Sequence, residues 1–283
     1  MRNDFAVFIL THGRPDNVIT LKTLKKQGYT GRYYIVIDNE DDKEEEYREK
    51  FGDKVVQFDK LAISETFDTA DTQEDRRTIV YARNACFDIA EDLGIKYFLE
   101  LDDDYTTFSY RYVRDGKLVG RICKQLDRLF ESMIDFLESS GALTVAFAQM
   151  GDFIGGKDGG NFKKHVLRKA MNTFFCKTEN KFQFVGRINE DVNTYTLLGN
   201  QGKLFLSITD AAINQKQTQA NKGGMTDVYL DGGTYVKSFY SVIFSPQCVK
   251  ISVMGESHRR IHHHVNWKYC TPMIINEKWR KRR

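Results

Sequence analysis

The sequence predicts an α/β protein whose central, mostly parallel sheet is flanked by helices. Short apolar runs and helically periodic stretches follow one another in the order strand, helix, strand, strand, helix, strand through the N-terminal half, the succession that builds parallel sheets. Several of those runs empty into polar or acidic turns, which belong at the carboxyl edge where open α/β sheets bind ligands. The 283 residues are 41% hydrophobic and 13% aromatic, enough to bury a sizeable core. Only three prolines occur, and no low-complexity linker divides the chain. It reads as one domain over 1–283, a first half (1–150) followed by a decorated C-terminal half (151–283).

The first apolar run, FAVFIL at Phe5–Leu10, is a strand that leads through THGRPDN into a helix from about Asn17 to Gln27. Thr11, His12 and Arg14 therefore sit at a strand end beside a helix start, a place that welcomes phosphate. YYIVI at Tyr33–Ile37 is the second strand. Asp38, at its end, occupies the position where an acid commonly meets a ribose or base. Residues 40–50 form an acidic helical face, Val55–Phe58 a third strand, and 59–74 a polar loop. Arg76–Leu93 is helical, with Ile79, Cys86, Phe87, Ala90 and Leu93 inward and Gly94 as its stop. Arg83 and Asn84 lie inside it.

The stretch IKYFLELDDDY at 95–105 carries the strongest chemical signal. Tyr97, Phe98 and Leu99 read as a buried strand, followed by Glu100, Asp102, Asp103 and Asp104. Carboxylates this close repel one another unless a cation sits among them. A hard divalent ion prefers such oxygen ligands and often bridges to substrate phosphates. Asp102 and Asp104 are the candidate metal ligands, although Asp103 could replace either neighbour.

Helical spacing marks Gly120–Ser140, through Ile122, Leu126, Leu129, Phe130, Met133, Ile134 and Leu137. Ala142–Ala148 is a strand. Five glycines between 151 and 160 match neither dinucleotide nor P-loop spacing and read as a lid or acceptor loop. Thr173–Lys177 is a strand, Asn189-Glu190-Asp191 opens a helix, Lys203–Ile208 is a strand, 214–226 is irregular, and Tyr235–Phe244 reads as a strand stopped by Pro246. His258, His262, His263 and His264 follow, the last three adjacent; His262 and His264 are candidate metal ligands.

The net charge of +3 is unevenly distributed: residues 256–283 hold eight Lys/Arg against two Glu. Arg259, Arg260, Arg280, Lys281, Arg282 and Arg283 suit a polyanion, while a tail of this kind also serves simply as a solubiliser. Five cysteines without a CxxC pair read as reduced thiols in a cytoplasmic protein. No window approaches a membrane span, and no obligate protein partner is evident.

Together the FAVFILTHGR opening, Asp38, Arg83-Asn84, LDDD and NED resemble the GT-A fold of nucleotide-sugar glycosyltransferases. Within it, RINEDVNTYTLLGNQG, GGMTDVYLDGGTYVKSFYSVIFSP and HHHVNWKYCTPMIINEKW resemble the TET-associated glycosyltransferase family, found largely in bacteriophages. The resemblance implies a UDP-sugar donor, a divalent metal (Mn or Mg) and a 5-hydroxymethylpyrimidine in DNA as acceptor. It implies that Asp102 and Asp104, with His262 or His264, hold the metal, and that Thr11, His12, Arg14, Asp38, Arg83, Asn84, Asp102 and Asp103 line the donor site. Asp191, or its rival Glu190, becomes the base for the acceptor hydroxyl. A glycan- or protein-directed glycosyltransferase, a non-catalytic nucleic-acid-binding protein and a nucleotidyltransferase are the competing readings. The last lacks its usual glycine-serine turn, and the second leaves both acidic motifs without a task.

Overall fold

The computed structural model describes residues 1–71, 75–215, 236–254 and 259–272. Its organising unit is a parallel block. β1 (Phe5–Leu10) lies between β2 (Arg32–Asp38) and β4 (Tyr97–Asp102), and β3 (Val55–Phe58) pairs outside β2. Every residue of β1 is buried, as a strand with both faces covered must be. Phe5, Val7 and Ile9 meet α1 (Ile19–Lys26) and α5 (Leu126–Ser140) on one face. Ala6, Phe8 and Leu10 meet α4 (Val80–Asp92) on the other. The period of two along the strand produces this division. α2 (Glu44–Phe51) adds the buried Tyr47 to the first cluster.

Beyond β4 the sheet becomes mixed. β9 (Phe174–Lys177) runs antiparallel between β4 and β7 (Thr144–Gln149), and β10 (Phe205–Gln215) is parallel to β7. β5 (Tyr105–Arg114) pairs antiparallel with β10, and β6 (Lys117–Ile122) closes that edge. The order is β3-β2-β1-β4-β9-β7-β10-β5-β6, with the two-residue β8 (Val166–Leu167) also on β10. α6 (Glu190–Asn200) starts near the end of β4, and β11 (Val249–Met254) with β12 (Arg260–Val265) forms a separate hairpin. No helix among the described residues is long and apolar enough to cross a membrane. All five cysteines are free and buried.

Several boundaries differ from the sequence expectation, each for a physical reason. The helix expected from Gly120 begins only at Leu126, because residues 117–122 are strand β6. Asp115 (φ +50°) and Gly116 (φ +70°) form the two-residue turn joining β5 to β6, and positive φ at both positions is the turn geometry Asp-Gly favours. The helix expected from Arg76 starts at Val80. The 59–74 loop contains a short helix, α3 (Lys60–Ser64), whose first turn is capped by Asp59 accepting from the Ala62 amide at 2.9 Å. Residues 236–244, expected as strand, are helical. Their β-branched and aromatic content reads as strand; the packing face instead carries the buried Ser238 and Ser241 with Tyr240. The glycine-rich stretch is not an open loop. It folds into short 3-10 turns over Phe153 and Phe162, which pack with Ala148 and Ala212.

Candidate active site

The acidic turn is built by α1. Thr20 donates through Oγ1 to the Asp102 carbonyl at 2.5 Å and accepts from the Tyr105 amide at 2.9 Å, and its own amide donates to the Asp103 carbonyl at 2.9 Å. With the backbone pinned on both sides, the three aspartates take different directions. Asp103 is buried: it accepts from Thr11 Oγ1 at 2.6 Å and lies 3.3 Å from Arg14 Nε. Burial raises its pKa and the Arg14 charge opposes the rise. Asp103 therefore anchors the loop after β1, and Thr11, expected at the donor, is spent on it and on Tyr47 at 2.9 Å. Asp102 and Asp104 remain at the edge. Burial, then crowding by Asp102 and Asp103, pushes the Asp104 carboxyl up to about 7, and among the described residues no cation lies within ion-pair distance of it.

Arg83 joins this turn to the second acidic motif. Its side chain is 2% exposed. Nη2 lies 3.0 Å from Asp102 Oδ1, Nε 3.1 Å from Glu190 Oε1 and Nη1 3.6 Å from Glu100 Oε2, while Cζ sits 4.7 Å from the Phe174 ring centroid. Burial drives the Glu100 carboxyl to about 8 although Arg83 opposes it. Arg83, expected at the nucleotide, is buried among these carboxylates and bridges β4 to α6. Asn84, also expected at the donor, is buried beside it. It donates to the Phe184 carbonyl at 3.0 Å and accepts from the Phe184 amide at 2.8 Å, clamping the segment that leads into α6.

That segment needs unusual backbone. Gly186 has φ +82°, and a Cβ there would lie 2.2 Å from Asn193 Nδ2. Asn189 precedes α6 in the left-handed region (φ +57°, ψ +38°), where asparagine is tolerated. Its amide donates to the Lys237 carbonyl at 2.7 Å and meets His263 Nδ1 at 3.4 Å. Asp191, next on the helix but one, is buried, and burial together with the Glu190 charge raises its carboxyl to about 7. The charge of Lys237 pulls the other way, and burial lowers the pKa of that lysine. Glu190 is engaged by Arg83; Asp191 Oδ1 accepts only from the Val192 amide, at 2.7 Å, among the described residues.

At the end of β2 a third acid is neutralised internally. Asp38 accepts from His12 Nδ1 at 2.9 Å and from Lys60 Nζ at 3.2 Å. Burial works against its ionisation, but the hydrogen bond from His12 and the Lys60 charge hold its pKa below the usual value; the same hydrogen bond raises that of His12. Asp38 is buried, so His12 and Arg14, with side chains 47% and 34% exposed, are the groups that reach the surface of this corner.

Among the described residues no group of three or more His, Cys, Asp or Glu side chains gathers closely enough to hold a metal, so His262 and His264 do not join Asp102 and Asp104 in such a set. His264 is exposed on β12, and it is His263, between the two candidates, that turns to Asn189. Arg259 and Arg260 are exposed at the start of β12; His258, Arg280, Lys281, Arg282 and Arg283 lie outside the described residues. Lys60, Lys237 and His263 are site residues that sequence reasoning missed. Each reaches its partner across a long sequence separation, and only His263 lies in a local pattern, the run of three histidines, which did not single it out from its neighbours.

The structure draws two acidic motifs together at the carboxyl edge of a parallel sheet. The profile of the TET-associated glycosyltransferase family matches residues 5–224; the chain belongs to that family and is a glycosyltransferase. The match includes LDDD and RINEDVNTYTLLGNQG and ends before most of the two C-terminal stretches that resemble the family. Comparison with curated proteins finds no match. Among solved structures, residues 1–349 of S. aureus TarS align at 16% identity and TM-score 0.40, over 74% of this chain and 59% of that one. Glucosyl-3-phosphoglycerate synthase from Mycobacterium tuberculosis, in complex with Mn2+, UDP and phosphoglyceric acid, aligns at 8% identity and TM-score 0.47, over 92% and 86%.

Proposed function

We infer that this glycosyltransferase moves a sugar from a UDP-sugar to the hydroxyl of a 5-hydroxymethylpyrimidine, above all 5-hydroxymethylcytosine, in DNA. The observation that carries the reading is the Arg83 bridge, which draws LDDD and NED into one site. Among the described residues it leaves Asp104 and Asp191 as the two carboxyls there without an ion-pair partner at close range. Asp102 and Asp104 supply hard oxygen ligands in a place where crowded carboxylates favour a cation, so they fit magnesium or manganese shared with the donor. Such an ion would neutralise the pyrophosphate of the donor. His12 and Arg14 would contact the nucleotide.

Asp191 is the base. A carboxyl held near 7 is matched to removing a proton at neutral pH, whereas Glu190 is taken up by Arg83. The acceptor oxygen bonds to the anomeric carbon as the bond to UDP breaks, and the hydroxyl proton goes to Asp191; direct displacement of this kind inverts the anomeric carbon. The DNA acceptor is supported by the family and by the cationic C-terminal stretch. A base in duplex DNA must leave the stack to reach a site at a sheet edge. The test is UDP release from UDP-sugars in the presence of DNA with and without hydroxymethylated bases. Release that needs the modified DNA and stops in EDTA is expected; equal release with unmodified DNA, or full activity in EDTA, contradicts the acceptor or the metal assignment respectively.

A further inference from the structure

The β5–β6 hairpin forms the free edge of the sheet and presents an open face. Residues directly opposite each other in an antiparallel pair share a face. On this hairpin the register places Tyr110 opposite Arg121, Tyr112 opposite Val119 and Arg114 opposite Lys117. Tyr110 and Tyr112 are 37% and 38% exposed, and Arg114, Lys117 and Arg121 are all exposed. The alternate residue Arg111 belongs to the other face, where its guanidinium lies 5.0 Å from the Phe153 ring centroid and Nη2 2.9 Å from Met150 Sδ. The glycine-rich segment thus packs on Arg111 and Leu118 of that face, where Val113 and Ile122 stay 49% and 57% exposed, and it does not reach the tyrosine–cation face.

The charge on this face has one sign. Residues 105–125 contain five Lys/Arg and a single carboxylate, Asp115 at the turn. Asp115 lies 3.5 Å from Arg114, with the two side chains 90% and 72% exposed. Among the described residues no carboxylate lies within ion-pair distance of Lys117 or Arg121. Charge on an edge strand blocks unwanted pairing, but charges of either sign do that. Placing Arg114 directly opposite Lys117 is unfavourable in itself, and edge protection has no use for two half-exposed tyrosines between the cations. Aromatic rings interleaved with uncompensated cations are what a nucleic-acid strand recognises, phosphates on the cations and bases or sugars on the rings.

The geometry points to the open face of the β5–β6 hairpin as the surface on which the acceptor DNA docks. This inference rests on the DNA-acceptor reading above. The hairpin starts immediately after the acidic turn. At ~3.4 Å per strand residue, Tyr110 lies ~17 Å and Arg114 ~30 Å from Tyr105 along β5. DNA phosphates succeed one another every ~3.4 Å along a strand, so the hairpin would grip the backbone roughly five to nine nucleotides from the base being modified.

The experiment uses the full chain and a labelled duplex containing 5-hydroxymethylcytosine, with affinity measured over a range of salt. Arg114→Gln, Lys117→Gln and Arg121→Gln are tested singly and together, with Tyr112→Ala and with Lys54→Gln at the opposite sheet edge as a control for net charge. Removing each phosphate contact should reduce the log–log salt slope by about 0.9, so that the slope of the triple variant falls by up to ~2.7. Its KM for DNA should rise while kcat and the KM for UDP-sugar stay put, and Lys54→Gln should change none of these. Thermal melting at or above wild type would show that the variant folds, since the opposed cations repel. A wild-type enzyme with a steep salt slope that the triple variant keeps overturns the hairpin assignment and leaves the DNA reading standing. A wild-type enzyme that neither binds nor glycosylates this duplex overturns both.

Discussion

Replacing Arg83 with methionine keeps an apolar stem and removes the cation that Glu100, Asp102 and Glu190 share. The substitution breaks ion pairs at 3.6, 3.0 and 3.1 Å, around a side chain that is 2% exposed. Removing one partner of a buried ion pair costs on the order of 3–5 kcal/mol, because the other charge stays behind without compensation. At ~2–4 °C per kcal/mol for a protein somewhat smaller than this one, the melting temperature at neutral pH should fall by on the order of 10 °C. The pH dependence has a defined sign. Glu100 already sits at about 8, raised by burial against the pull of Arg83, and without Arg83 it rises further. A carboxyl whose folded pKa lies above its unfolded value contributes stability at low pH that is lost as pH rises through the folded value. The deficit of Arg83→Met should therefore be larger near pH 9 than near pH 5, and adding Glu100→Gln should recover the part that grows with pH. Calorimetric melts across that range are the assay. A variant that melts with wild type at every pH would refute the bridge.

Asp191→Asn should lower kcat by about 10²–10⁴ and abolish the limb of the pH–rate profile that rises in the wild type with a midpoint near 7. Because the Asp191 carboxyl lies at about 7 in the fold against an ordinary 3.8, wild-type stability should fall as pH rises between those values, and Asp191→Asn should melt higher than wild type at pH 8 but not at pH 3.5. Asp104→Asn should leave the fold intact or stabilise it, since it removes one of three crowded carboxylates, while calorimetric binding of UDP in the presence of Mg2+ or Mn2+ is lost; undiminished metal-dependent binding would remove Asp104 from the donor site.

The parallel half was legible because its strands are buried on both faces and read as unbroken apolar runs, FAVFIL and YYIVI above all. LDDD and NED were legible because each is a short run of acids next to a recognisable strand end or helix start, a local feature of the sequence. The β5–β6 hairpin was missed although Asp115-Gly116 is a strong turn signal: its exposed face mixes Tyr and Arg, so apolar periodicity had little to register. Residues 236–244 misled in the opposite direction, with strand-like composition folded into a helix that packs through serines. The division of labour within DDD could not be read locally. Asp103 turns inward because Thr11 and Arg14, from another strand end, await it there. Arg83 presented itself as a basic residue near a nucleotide site, and only the fold surrounds it with three carboxylates from β4 and α6.

The most direct test of the account is nucleoside mass spectrometry after incubating the protein with hydroxymethylated DNA, a panel of UDP-sugars and Mn2+ or Mg2+, followed by digestion to nucleosides. The account predicts a new nucleoside heavier than hydroxymethyldeoxycytidine by one anhydro-sugar residue, formed by the wild type and lost with Asp191→Asn or Asp104→Asn. Unchanged hydroxymethylated nucleosides with every donor, under conditions where the same enzyme releases UDP in the presence of a glycan or protein acceptor, would contradict it.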